Sequence, residues 1–230
     1  MNILFALIKT APSLFIIALL LGILSHLRNK STKSFEKSKQ DFWDREQSAN
    51  AVRKKDISNL PYIEIPGRIY DTAQQFSQSS PSGPDRADYF EELNALSGKK
   101  ILNLNGKSNT DLKLEYGTAN ITVLSAADTC YTELISILAR LGTALYESGQ
   151  YREAREILEY SVDIESDVLK SYKILLDIYE KTMPEEEAKK AKEALQGKAE
   201  KLDSIRRDAI LALFCVEEPT PDEGSSESQD

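Results

Sequence analysis

The sequence predicts an all-α protein, in which an amino-terminal transmembrane helix is followed by a domain of helical hairpins. Three observations predict it. Leu138, Leu141 and Leu145 fall on one helical face, and Ala154, Leu158 and Ser161 continue on a second helix beyond Gly149-Gln150-Tyr151. Tyr172, Leu175, Tyr179 and Ala188 occupy the corresponding positions one period later. Ala11 to Leu27 carries no charged residue.

The uncharged stretch is mostly Leu, Ile, Phe and Ala. At about 1.5 Å of rise per residue it just crosses the hydrocarbon core, and Ile3 to Ile8 extend it if Lys9 snorkels. Pro12 falls in the first turn, where it costs little. A cleaved signal peptide is the competing reading. Small residues are missing at a cleavage site, because His26, Leu27 and Arg28 follow the apolar run. The expectation is a retained anchor through residues 3–27, within a segment 1–28. Arg28, Lys30, Lys33, Lys37 and Lys39 flank its carboxyl side against Glu36, while Lys9 stands on the other. That bias predicts a single-pass protein of the cell membrane with its soluble domain in the cytoplasm. Cys130 and Cys215 have no spacing of a disulfide framework, in keeping with a reducing compartment.

Residues 29–84 read as a basic juxtamembrane helix and a linker. The net charge is −8, yet basic residues dominate from Arg28 to Lys55. That stretch favours anionic lipid headgroups. The acidic remainder argues against nucleic acid. A polar helix is predicted over Ser34 to Lys55, with Phe42, Trp43, Glu46, Ala49, Asn50 and Arg53 at helical spacing. Asp56 to Asn59 breaks it, and the prolines of Leu60 to Pro66 keep that segment extended. Tyr62, Ile63 and Ile65 are apolar enough to dock, on the chain's own helical domain in preference to a partner. Gly67 to Pro84 has linker composition, with Gln-Gln, Ser-Gln-Ser-Ser and Pro-Ser-Gly-Pro.

Residues 85–216 form the expected helical domain. Asp85 to Leu96 is amphipathic through Tyr89, Phe90, Leu93 and Leu96, and Gly98 stops it. Asn105 to Ser108 reads as a turn, with Asn109 to Asp111 capping a short helix Leu112 to Tyr116. The long first helix of the hairpin is expected to begin near Ser125, with Asp128 completing a capping-box analogue and Ala126 and Thr129 on its apolar face. Gly142 and Ala154 permit close helix approach, and Gly149 suits a carboxyl-terminal cap. This stretch resembles the tetratricopeptide consensus, whose period is about 34 residues. One period on, Leu176, Lys192 and Leu195 replace Gly142, Leu158 and Ser161, so the second unit is degenerate. An ordinary helical hairpin of an all-α domain is the alternative. Pro184 opens a last helix with Glu185, Glu186 and Glu187 at its positive end, and a stripe is expected from Ala188 through Leu195, Leu202 and Ile205 to Leu213. The run Ala209 to Val216 is apolar all round and is expected to cap the domain; Glu217 to Asp230, acidic and rich in Ser, reads as a disordered tail.

Candidate chemistry is sparse. Gly106-Lys107-Ser108 resembles the end of a phosphate-binding loop, but Ile101 stands where that motif needs glycine. His26, the only histidine, has no carboxylate or cysteine set around it. Cys130 and Cys215 are expected to be buried small hydrophobes. The sequons at Asn29 and Asn120 would matter only outside the cell. No cofactor, metal or catalytic set is expected.

Lys100 to Leu104 and Asn109 to Gly117, taken with the anchor, Asp41-Phe42-Trp43 and Leu60-Pro61-Tyr62-Ile63, resemble a group of bacterial membrane-anchored proteins that end in tetratricopeptide-like repeats. The resemblance implies one span, a tether and a helical repeat domain, and no activity. The expected role is an interaction protein, a scaffold or adaptor that docks a protein or peptide partner. Its groove residues are expected to be Arg140, Tyr146, Lys173 and Asp177, on the first helix of each hairpin. A self-associating structural protein is the second reading, with Leu60 to Pro66 or Ala209 to Val216 buried between protomers; an enzyme, the third class, is disfavoured by the single histidine and the broken phosphate-binding loop.

Overall fold

A computed structural model of the protein describes residues 35–79 and 88–215. The helices are α1 (35–50), α2 (Gly67–Ser79), α3 (Tyr89–Asn94), α4 (Asn109–Tyr116), α5 (Ile121–Glu147), α6 (Tyr151–Asp163), α7 (Leu169–Thr182), α8 (Glu185–Ala199) and α9 (Arg207–Leu211). No strand occurs among the described residues. The chain divides into two compact units, Met1–Lys55 with Asn109–Ala119, and Asp56–Ser108 with Asn120–Asp230.

In the first unit α4 covers the carboxyl-terminal half of α1. Glu46 accepts from the Thr110 hydroxyl and from Lys113 Nζ at 2.9 Å, and those bonds hold its carboxyl below the usual range. Ala49 is wholly buried. The Lys55 N–H donates to Tyr116 O at 3.0 Å. Gly117 takes φ +86°, and a Cβ there would lie 2.4 Å from the Arg53 carbonyl oxygen, so only glycine fits the return of the chain.

The second unit is built around α5. Leu134, Leu138, Leu141 and Leu145 are wholly buried on one of its faces. The helix packs against α6, α7 and α3, and α6, α7 and α8 pack in succession. Where α5 meets α6, Gly142 has no side chain and a Cβ would sit 2.4 Å from Leu158 Cδ2. The turn between them is a Schellman motif. Gly149 is left-handed at φ +79°, its N–H donates to Tyr146 O at 3.0 Å, and Gln150 N–H donates to Leu145 O at 2.9 Å. The end of α6 closes the same way with Glu165 at φ +63°. Ser166 N–H reaches Ser161 O at 3.1 Å and Glu165 N–H reaches Val162 O at 2.9 Å. Proline ends α7: Met183 is extended before Pro184, and α8 begins on Glu185 to Glu187.

Buried tyrosines tie loops to this stack. Tyr131 donates to Ile164 O at 3.1 Å, Tyr172 to Ser166 O at 3.0 Å and Tyr160 to Glu64 O at 3.1 Å. The last bond anchors the extended segment before α2. Ile63 N–H also donates to Ile101 O at 2.8 Å, and Ile63 and Ile65 pack on the core. The segment Leu60 to Pro66 is thus docked on its own unit.

The structure corrects several expectations. Residues 67–79 are helix α2, with Ile69 and Ala73 wholly buried, and they belong to the second unit. Their Gln and Ser content hid the apolar stripe of Ile69, Tyr70, Ala73 and Phe76. The hairpin helix begins at Ile121, before Ser125, and its buried positions are Ala127 and Tyr131 where Ala126 and Thr129 were expected. Contacts to the 102–104 strand-like loop set that rotation: Leu102 N–H donates to Ala127 O at 3.2 Å and Leu104 N–H to Asp128 Oδ1 at 3.3 Å. The last helix stops at Ala199, so the stripe breaks; Leu202 is buried while Ile205 is fully exposed. Beyond it only Ile210 of the 209–215 run is fully buried, and Cys215 is exposed, not packed. Cys130 is half-buried. The span at residues 3–27, His26, the Asn29 sequon and the tail 217–230 lie outside the described residues. Among those described, one helix, Thr118–Glu147, is long and apolar enough to cross a membrane by length and composition. Leu134, Leu138, Leu141 and Leu145 of this helix are spent on the core of the second unit.

Candidate functional site

The face of α5 that lines a groove mixes small side chains with Tyr131, Ile135, Arg140 and Glu147. Ser136, Ala139, Thr143 and Ala144 leave an open floor, where the packed faces carry leucine. The walls come from distant parts of the same unit: Tyr89 of α3, the Asn105-Gly106 turn, Asp167 to Lys170 at the start of α7, and Leu202 to Arg207 after α8. Together they bound a groove of about 1120 Å³.

Two contacts set its outer wall. Ser204 donates to Asp167 Oδ2 at 2.6 Å. Asp203 stands against Gly106, whose missing side chain makes the space: a Cβ there would lie 2.0 Å from Asp203 Oδ2, and the residue takes φ +78°. The broken helix after Ala199 therefore closes the groove, and Ile205 stands fully exposed on its rim. At the α3 wall Arg140 pairs with both oxygens of Glu92, one of them at 3.2 Å, and lies 5.6 Å over the Tyr89 ring. The Glu92 bonds raise its pKa, so this cation stays charged at every accessible pH. Basic lining residues are Arg140, Lys170, Arg206 and Arg207, against acidic Glu147, Asp167 and Asp203. The lining is thus one charge positive in a chain of net charge −8. The groove thus combines a floor of small residues with walls of both charge signs and one exposed apolar side chain, Ile205.

Of the residues expected in a groove, Arg140 lines this one. Tyr146 and Asp177 are brought together on neighbouring helices, with the Tyr146 hydroxyl donating to Asp177 Oδ2 at 2.5 Å. Lys181 joins them, 2.7 Å from Asp177 and 2.8 Å from the Tyr146 oxygen. The Lys181 bond, and then that of Tyr146, holds the Asp177 carboxyl below its ordinary range. This trio ties α5 to α7. Lys173 is exposed on α7 and joins neither group. Sequence reasoning missed Tyr89, Lys170 and the 202–207 wall. Asp203-Ser204, a turn-favouring pair directly after Leu202, was the available signal. No family model, curated protein or solved structure matches the chain. No group of three or more His, Cys, Asp or Glu among the described residues is placed to hold a metal ion.

Proposed function

We propose that the protein is a membrane-anchored interaction protein, a scaffold or adaptor whose second unit is a tetratricopeptide-like hairpin domain that docks a segment of another polypeptide. The groove along α5 carries this reading, because it is wide, mixed in charge and floored by small residues. The Gly142–Leu158 approach and the Gly149 turn support the repeat-like hairpin, since both lie at the offsets that the consensus uses. The uncharged residues 11–27 support the anchor, and the basic excess after them supports a cytoplasmic domain. Arg140 is assigned to the groove itself. Tyr146 and Asp177 hold the two first helices of the hairpins in register, and Lys173 offers a solvated charge beside them. Self-association through Leu60 to Pro66 is the weaker reading, because Ile63 and Ile65 are already packed within the unit.

The test is photo-crosslinking in cells from Ser136 and Glu147 in the groove and from Arg152, exposed on α6. The expected outcome is an adduct with one polypeptide from both groove positions, absent from Arg152 and abolished by Ala139→Trp, which fills the floor. An adduct equally strong from Arg152, or one indifferent to Ala139→Trp, refutes the proposal.

A further inference from the structure

The aromatic face of α1 is only half covered. Phe35 and Phe42 lie two turns apart on one side of the helix, with Lys39 between them and Trp43 beside them. They are 72%, 55% and 57% exposed. Phe42 and Trp43 pack edge to face on each other, 5.6 Å between ring centroids. Glu46 and Ala49 continue the same side of the helix, and there α4 covers it. The uncovered half is the end nearest the uncharged stretch Ala11 to Leu27. Residues 28–34 join the two, a tether of about 25 Å at full extension. Arg28, Lys30, Lys33, Lys37 and Lys39 stand in and beside that tether against Glu36, and the far side of the helix presents Lys37, Gln40, Asp41 and Asp44.

We propose that the amino-terminal half of α1 lies in the interface of an anionic lipid bilayer, with Phe35, Phe42 and Trp43 at the headgroup–acyl boundary and Lys39, between the rings, reaching lipid phosphates. Three large rings left in water are otherwise unaccounted for within the first unit, and interfacial helices combine an aromatic face with flanking basic residues in this way. With only residues 28–34 between the uncharged stretch and α1, the helix stays within about 25 Å of that stretch. Bilayer charge then sets how firmly the first unit is held at the surface, beyond what the anchor does. The inference rests on the membrane-anchor reading, and the experiment separates the two.

Trp43 is the only tryptophan of the chain, so its emission reports on this face alone. The full chain is reconstituted into vesicles of phosphatidylcholine with phosphatidylglycerol. Flotation after an alkaline wash reads the anchor, and Trp43 quenching by brominated acyl chains against aqueous iodide reads α1. The expected result is flotation with a blue-shifted Trp43, quenched by brominated lipid and protected from iodide. That protection weakens in phosphatidylcholine alone and in the Phe35→Ser/Phe42→Ser variant, whose sites are already exposed and whose helicity is checked by circular dichroism. Flotation with Trp43 open to iodide keeps the anchor and overturns the α1 proposal. Protection from iodide without quenching by brominated lipid means a protein surface covers the rings, and also overturns it. Failure to float overturns both.

Discussion

Gly142 and Leu158 show how one missing methyl group sets a helix crossing. Alanine is the better helix former by up to about 1 kcal/mol. Here its Cβ would lie 2.4 Å and 2.6 Å from two carbons of a wholly buried leucine. Overpacking of a dense core costs about 1–3 kcal/mol, so the clash outweighs the propensity. Gly142→Ala is therefore expected to lower the stability measured by chemical denaturation. In a Leu158→Ala background the same change is expected to raise it, because the space is then open and only propensity remains. Gly142→Ala that stabilises the otherwise unchanged protein contradicts the close approach. Both residues stand out in the sequence as consensus positions. The distance between them does not.

At the scale of elements, α2 and the end of α8 are where composition misleads. Gly67 to Ser79 is rich in Gln and Ser, yet Ile69 and Ala73 are wholly buried against the rest of the second unit. A linker would tolerate Ile69→Ala within about 0.5 kcal/mol. A core position loses about 2–5 kcal/mol. Denaturation of Ile69→Ala beside Gln75→Ala, an exposed site on the same helix, is expected to show the larger loss at Ile69 alone. The helix was legible only as four apolar positions, because its Gln and Ser residues give it the composition of a linker; one of those polar residues, Ser77, is itself buried in the fold. The stripe after Ala199 fails for the opposite reason. Its spacing is helical, but the Ser204–Asp167 bond and the seat of Asp203 on Gly106 pull the chain out of the helix.

For the whole second unit, the tyrosines bind the stack together and give it an alkaline limit. Burial is the main cause that raises the pKa of Tyr131, Tyr160, Tyr172 and Tyr179, and Tyr160 is pushed up to about 12 from 10.0. A raised value in the folded state means that the neutral phenol is favoured there. That stabilisation is complete below pH 10 and is lost as the pH rises through the folded values. The part of the phenolate absorbance contributed by these residues, read as the loss on replacing each by Phe, is expected to grow late and together with loss of helical circular dichroism, above the ordinary tyrosine range. Ionisation of these residues near pH 10 with the fold intact would contradict their burial.

Local physics was enough to make several features readable from the residues alone. The Gly149 turn, the stop at Met183-Pro184, the acidic start of α8 and the leucine face of α5 depend on backbone conformation and helical period, which neighbouring residues set. The groove exists only once the helices have packed. Its floor is a stripe of small residues that differs from a solvated face only when other segments rise around it. Its walls come from α3, the Asn105-Gly106 turn, the start of α7 and the Leu202 to Arg207 segment, which are far apart in the chain. Arg140 could be named from helix position alone, while Lys170 joins it through the packing of α7 on α5 and Arg206 only because the helix stops at Ala199.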